Sequence, residues 1–166
     1  MKLENKKKLF NSTLIIVLIF FLDRFSKIYV LSLAKINNSV DILVTEYLNI
    51  YLIWNEGIAY GLLSFGQSSI YNIITVLIVI ISLVVYVLII KTNDIRFYFY
   101  SLVFGGAIGN LFDRLYYSAV PDFIDLHIHN YHWFIFNVAD IFITIGVICL
   151  ILVELIFNKS LENEKK

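Results

Sequence analysis

Apolar residues in this chain come mostly in long runs, and four of the runs have the length of helices in hydrocarbon. They cover about residues 10–33, 70–90, 97–117 and 138–157. Each meets the roughly 17–25 residues a helix needs to cross a bilayer core. Between the runs the pattern changes. Residues 34–69 hold Asn37-Asn38-Ser39 and then EYLNIYLIWNEGIAYG, where Tyr, Ile and Trp mix with turn formers. That composition predicts one or two short strands at the membrane surface. Residues 118–137 include SAVPDFIDLHIHNYHW, again aromatic and polar, which suits a headgroup zone. KTNDIR (Lys91–Arg96) is a tight turn, and residues 1–9 and 158–166 are short charged tails.

Composition agrees with the pattern. The chain is 60% hydrophobic and 16% charged, against roughly 45–50% and 25% in soluble domains. An integral membrane protein of one domain, residues 1–166, follows. Net charge is zero and no basic face is visible, which argues against nucleic acid as a partner. The single Cys149 lies deep in the last run, where it packs and cannot form an internal disulfide. The first run begins like a secretory leader, with Lys6-Lys7-Lys8 and a small-residue site at Ser32-Leu33-Ala34. Its Leu14–Leu22 core stops well short of that site, with Asp23, Arg24 and Lys27 between, so it is read as a span.

Nine of the 13 basic residues fall before residue 10, around the 91–96 turn or after residue 157. The positive-inside tendency then puts both termini in the cytoplasm and segments 34–69 and 118–137 on the outer side. This orientation gathers polar residues at one depth. Asp23 and Lys27 lie towards the outer end of the first span, Asn110, Asp113 and Arg114 at the outer end of the third, and Asn137 and Asp140 at the outer start of the fourth. Asn55 and Asp122 belong to the outer segments themselves. Ionisable groups cost on the order of 2.5–3.5 kcal/mol each within a membrane, so such a gathering has a purpose. Asp23 and Lys27 are spaced to pair along a helix. Gly106, Asn110, Asp113 and Tyr117 share one helical face, and Gly105-x-x-x-Gly109 permits close helix approach.

Plainer readings exist for each residue. Asp140 can cap its helix, Asp113 and Arg114 can form an interfacial ion pair, Asp122 can be a turn residue after Pro121, and Glu154 can face the cytoplasm. Serine or cysteine catalysis lacks a neighbouring base. His127-x-His129 would put two imidazoles on one side of a strand, with His132 nearby, but no His-Glu-x-x-His helix accompanies them. They are read as solvated or headgroup-facing histidines, and no metal or cofactor is expected. Two carboxylates sharing one proton remain the best chemistry: one takes a proton from water while the other polarises a carbonyl. Spacing alone leaves open which two of Asp23, Asp113, Asp122, Asp125 and Asp140 these are.

Five ordered blocks narrow the choice: DRFSK (Asp23–Lys27), NEGIAYG (Asn55–Gly61), GGAIGNLFDR (Gly105–Arg114), VPDFID (Val120–Asp125) and FNVAD (Phe136–Asp140). Through them the chain resembles the lipoprotein signal peptidases (signal peptidase II) from Phe10 to Phe157. The resemblance implies an all-α membrane bundle of four transmembrane helices with a small extracytoplasmic β-cradle, in the bacterial cytoplasmic (inner) membrane. It implies an aspartic endopeptidase, active at the outer (periplasmic) face, that cleaves a prolipoprotein just before a Cys bearing diacylglycerol. Asp122 and Asp140 would be the catalytic dyad, and Asp23, Lys27, Asn55, Asn110, Arg114 and Asn137 would line or brace the substrate site. Asp113 and Asp125 would be structural. The expected partners are the lipid-modified substrate and membrane lipid, with the enzyme a monomer. Tyr60, where Phe is more usual, and Pro121, where an aliphatic residue is common, depart from the family pattern without touching a catalytic group. A small carboxylate-based proton or ion carrier is the alternative, and a membrane scaffold is a third reading.

Overall fold

The computed structural model describes residues 3–56, 67–129 and 131–163. Of the NEGIAYG block, Asn55 and Glu56 are described, and Tyr60 lies outside the described residues. The helices are α1 (Leu3–Asn37), α2 (Gln67–Lys91), α3 (Arg96–Tyr117) and α4 (Val138–Asn163). The strands are β1 (Asp41–Thr45), β2 (Leu48–Asn55), β3 (Val120–Ile128) and β4 (Tyr131–Phe136). The helices overrun the apolar runs, because nothing in the flanking sequence breaks them. Thus α1 takes in residues 34–37, which the sequence pattern assigns to the outer segment, and α4 continues into the charged tail. Left-handed residues mark two of the ends, Asn38 (φ 62°) after α1 and Ser118 (φ 58°) after α3.

Two of the helices, α2 over Tyr71–Lys91 and α4 over Val138–Phe157, are long and apolar enough to cross a membrane. Their outward side chains stay uncovered: Ile73, Val76, Leu77 and Ile80 of α2, and Ile148, Ile151 and Leu155 of α4, are all more than half exposed. Helices α1 and α3 have the length but carry the polar stripe. The inside is polar to match. Lys27, Asn137, Asp23, Asp113, Asp122 and Asp125 are among the most completely buried side chains. Apolar outside and charged inside is the reverse of a soluble domain.

Glycines of α3 set how closely the helices meet. A Cβ on Gly105 would press on Ile19 of α1, and one on Gly106 would sit 2.5 Å from the Ala139 carbonyl oxygen of α4. At the far end of the bundle Lys8 donates to the carbonyls of Ile90 (2.7 Å) and Thr92 (3.0 Å), closing the C-terminus of α2. There Glu154 pairs with Arg96 at 3.4 Å, and Arg96 holds the Asp94 carboxyl below its usual range, chiefly by hydrogen bonding.

The strands form one antiparallel sheet in the order β1-β2-β3-β4. Val30 of α1, Val40 and Phe123 of β3 make a small core, against which Leu33, Ile50, Leu52 and Val138 pack. This core fixes the sheet over the C-terminal end of α1 and the N-terminal end of α4. The β2–β3 register shifts between Ile50 and Ile53, with the extra residue on β2, so β3 keeps its alternation and Asp122 and Asp125, three positions apart, point to opposite faces. The two imidazoles expected on one side of a strand separate: β3 stops at Ile128, and His129 turns away in a left-handed conformation (φ 53°). His132 instead meets Asp125, Nδ1 to Oδ2 at 2.7 Å, with His127 Nδ1 at 3.7 Å from the same oxygen.

Candidate active site

The N-terminus of α4 organises the site. Asn137 is its cap: Oδ1 accepts from the Asp140 backbone N–H at 3.2 Å, and Asp140 Oδ2 accepts in return from the Asn137 backbone N–H at 3.1 Å. This reciprocal arrangement satisfies two otherwise orphan donors. With its amide oxygen taken, Asn137 turns its NH2 outward and donates to Asp122 Oδ1 at 2.6 Å. One residue therefore touches both carboxyl-bearing residues.

Asp122 arrives from the sheet. Ile53 of β2 lies opposite it in the register, which puts Asn55 on the same face two positions on. Asn55 Nδ2 donates to Asp122 Oδ2 at 2.8 Å. Burial pushes the Asp122 carboxyl up to about 6, against the pull of its two amide donors, and the nearby charge of Asp140 adds to the rise. A carboxyl so placed holds a proton at mildly acidic pH.

Behind Asp140 lies a web of charge. Asn110 of α3 donates through Nδ2 to Asp140 Oδ1 at 2.8 Å, and its Oδ1 accepts from Lys27 Nζ at 2.9 Å. The same ammonium donates to Asp23 Oδ2 (2.8 Å) and Asp113 Oδ2 (2.6 Å), so all three of its N–H groups are used. Asp23 Oδ1 accepts from the Ala139 backbone N–H at 3.0 Å, a carboxylate set on the positive end of α4. Arg24 completes the web, 2.5 Å from Asp113 Oδ1 and lying over the Phe112 ring at 4.9 Å. Two cations thus face two carboxylates in a buried, balanced cluster.

Seven of the eight residues singled out from the sequence, Asp23, Lys27, Asn55, Asn110, Asp122, Asn137 and Asp140, form one connected path. Arg114 stands apart from it. Its guanidinium lies 5.5 Å from the Tyr71 ring, and its Nε and Nη1 have no hydrogen-bond partner among the described residues. The Tyr71 hydroxyl donates to the Arg114 carbonyl at 2.7 Å. The residue that the sequence reasoning missed is Arg24, whose only signal was its place in DRFSK. An apolar cavity of about 300 Å³, lined by Phe134, Phe136, Ile141, Thr144 and Ile145, opens beside Asp140. Both carboxyl groups are held by side-chain amides, Asp122 by Asn55 and Asn137 and Asp140 by Asn110, and Asp140 borders room for an apolar chain.

The chain is similar to known proteins. The profile of the family described as signal peptidase (SPase) II matches residues 15–157. A lipoprotein signal peptidase of Pelagibacter ubique is 54% identical over 161 residues, covering 97% of each chain. One of Anaplasma phagocytophilum is 42% identical over 134 residues, covering 81% of this chain and 85% of its own. Two solved structures of bacterial membrane enzymes superpose with TM-scores of 0.69 and 0.71 at 34% and 36% identity. They cover 90% and 87% of this chain, and 90% and 92% of their own. By these matches the chain belongs to the signal peptidase II family of aspartic peptidases.

Proposed function

We propose that the chain is a four-span endopeptidase of a bacterial cytoplasmic membrane, with Asp122 and Asp140 as its dyad at the outer face. It removes the signal peptide from prolipoproteins, the activity of its family, and it cuts just before the diacylglyceryl-bearing Cys. The observation that carries the dyad is Asn137, whose one amide serves both Asp122 and the Asp140 turn. The ionised carboxylate takes a proton from water, whose oxygen bonds to the scissile carbonyl carbon. The protonated one polarises the carbonyl, and the C–N bond breaks as the leaving nitrogen is protonated. The cavity beside Asp140 suits an apolar part of a substrate whose lipid anchor rests near the outer leaflet boundary.

Support for the orientation comes from the basic residues Lys8, Lys91 and Arg96, at the end of the bundle away from the sheet. The connected path is supplied by one chain, which fits a monomer. A proton or ion carrier needs titratable groups at successive depths. Away from the outer end and the sheet, the buried polar side chains among the described residues are Ser12, Ser82 and Ser101, which do not supply a relay.

The test is incubation of purified enzyme with a diacylglyceryl-modified prolipoprotein. Wild type is expected to release the signal peptide, and Asp122→Asn and Asp140→Asn to remain folded without cleaving. Normal turnover by either variant removes the dyad assignment.

A further inference from the structure

The two carboxyl groups are not equivalent, and the difference starts at Lys27. An ammonium has no acceptor, so it fixes the Asn110 amide with Oδ1 towards Nζ (2.9 Å) and NH2 towards Asp140 Oδ1 (2.8 Å). Turned over, that amide would set donor against donor and acceptor against acceptor. Asp140 Oδ2 meets the Asn137 backbone N–H, which likewise can only donate. Asp140 also lies in the first turn of α4, where the helix dipole favours an anion. Asp122 sits on a strand, and among the described residues its carboxyl accepts only from the side-chain amides of Asn55 and Asn137, with no backbone N–H of α4.

We propose that Lys27 is a positioning residue: through Asn110 it keeps Asp140 the ionised member of the pair and leaves the shared proton on Asp122. This rests on the dyad reading above. Asp140 then takes the proton of the attacking water as Asp122 gives its own to the carbonyl oxygen. On collapse Asp140 protonates the leaving nitrogen, and Asp122 recovers a proton from the diol. The charged groups around Asp140 are Lys27 and Asp23 of α1 and Asp122 of β3, with Asp113 of α3 and Arg24 behind Lys27. Of the two cations, Lys27 is the one joined to Asp140 through a single amide.

The experiment is kcat/KM against pH, per folded enzyme, on a lipidated prolipoprotein. Wild type is compared with Lys27→Met, Lys27→Arg and Asn110→Leu. The acidic limb, where the base becomes protonated, is expected to move up by about one pH unit in Lys27→Met and Asn110→Leu. In both, kcat falls with little change in KM. Lys27→Arg, also donor-only, returns the limb towards its wild-type place. Asn110→Leu leaves both carboxylate contacts of Lys27 intact, so it carries the test if Lys27→Met does not fold. Reduced turnover with the limb unmoved in Asn110→Leu overturns the proposal. Movement in Asn110→Leu but none in folded Lys27→Met overturns the part given to Lys27. Asp122→Asn and Asp140→Asn run alongside: turnover by either sinks the dyad, whereas loss in both with an unmoved limb sinks the positioning role alone.

Discussion

Asn137 donates to Asp122 at 2.6 Å with the same side-chain amide whose oxygen caps the first turn bearing Asp140. Structure and chemistry are joined in that amide, and substitution can separate them. Asn137→Ala loses the cap and one hydrogen bond to a buried carboxyl, a loss of about 2–3 kcal/mol. Asn137→Ser restores a cap oxygen but not the donor to Asp122. Thermal unfolding in detergent is expected to show Ser well above Ala. Cleavage by both is expected to fall by about a hundredfold or more. Recovery of turnover by Ser would show that the amide donor is dispensable.

The raised Asp122 carboxyl, at about 6 against 3.8 in a model peptide, fixes the sign of a pH effect on stability. Between those values the folded protein binds more protons than the unfolded chain, so this group's contribution falls as pH rises and is lowest above 6. Asp122→Asn does not titrate. Relative to wild type, its stability is therefore expected to improve by on the order of 2 kcal/mol from pH 4 to pH 7. Unfolding measured at both pH values decides it; a constant difference would place the Asp122 carboxyl near its ordinary value. In wild type the alkaline limb of kcat/KM is expected near pH 6, where the proton is lost.

Much of this site can be read from the chain because its parts are local. The Asp23–Lys27 pair follows from helical spacing and closes at 2.8 Å, and the α3 stripe places Asn110 and Asp113 on one side of Lys27. Asn137-Val-Ala-Asp140 is a helix start, though Asn137 is the cap and Asp140 its returning partner. What spacing leaves open is the joining of Asp122 to the helices. That depends on the register of β2 against β3, between residues 67 apart in the chain, and pattern alone does not set it. Arg24 was hidden for another reason. Adjacent helical residues diverge, and only a side chain as long as arginine reaches back to Asp113. His129 escaped the strand because histidine tolerates the left-handed turn better than a β-branched residue would.

The cavity beside Asp140 predicts a change that leaves the carboxyl web alone. Ile145 lines it one helical turn beyond Ile141, and is partly exposed at 44%. Ile145→Trp extends a ring into that space. The expected result is a rise in KM of about tenfold or more for lipidated substrate, with kcat reduced less. Steady-state kinetics on folded variant decide it. Unchanged KM would mean that the substrate's apolar part lies elsewhere.

Gly109 shows how closely helix packing and site geometry are tied. A Cβ there would lie 2.8 Å from Asp23 Oδ2 and 3.3 Å from its Cγ. An ordinary carboxylate could swing aside, but this one is held by Lys27 at Oδ2 and by the Ala139 N–H at Oδ1. Moving it breaks one of those bonds or lifts α1 from α3. Gly105 contrasts, since its Cβ would meet Ile19 at 3.1 Å, an apolar side chain one helical turn before Asp23. Gly106 is the least tolerant, because its Cβ would strike the Ala139 carbonyl at 2.5 Å. Stability losses are therefore expected to rank Gly106→Ala above Gly109→Ala above Gly105→Ala, with Gly109→Ala costing about 1–3 kcal/mol. Per folded molecule, Gly109→Ala is expected to lose much more activity than Gly105→Ala, because it displaces the carboxylate that anchors the start of α4. Equal specific activities would mean that Asp23 can move without disturbing Asp140.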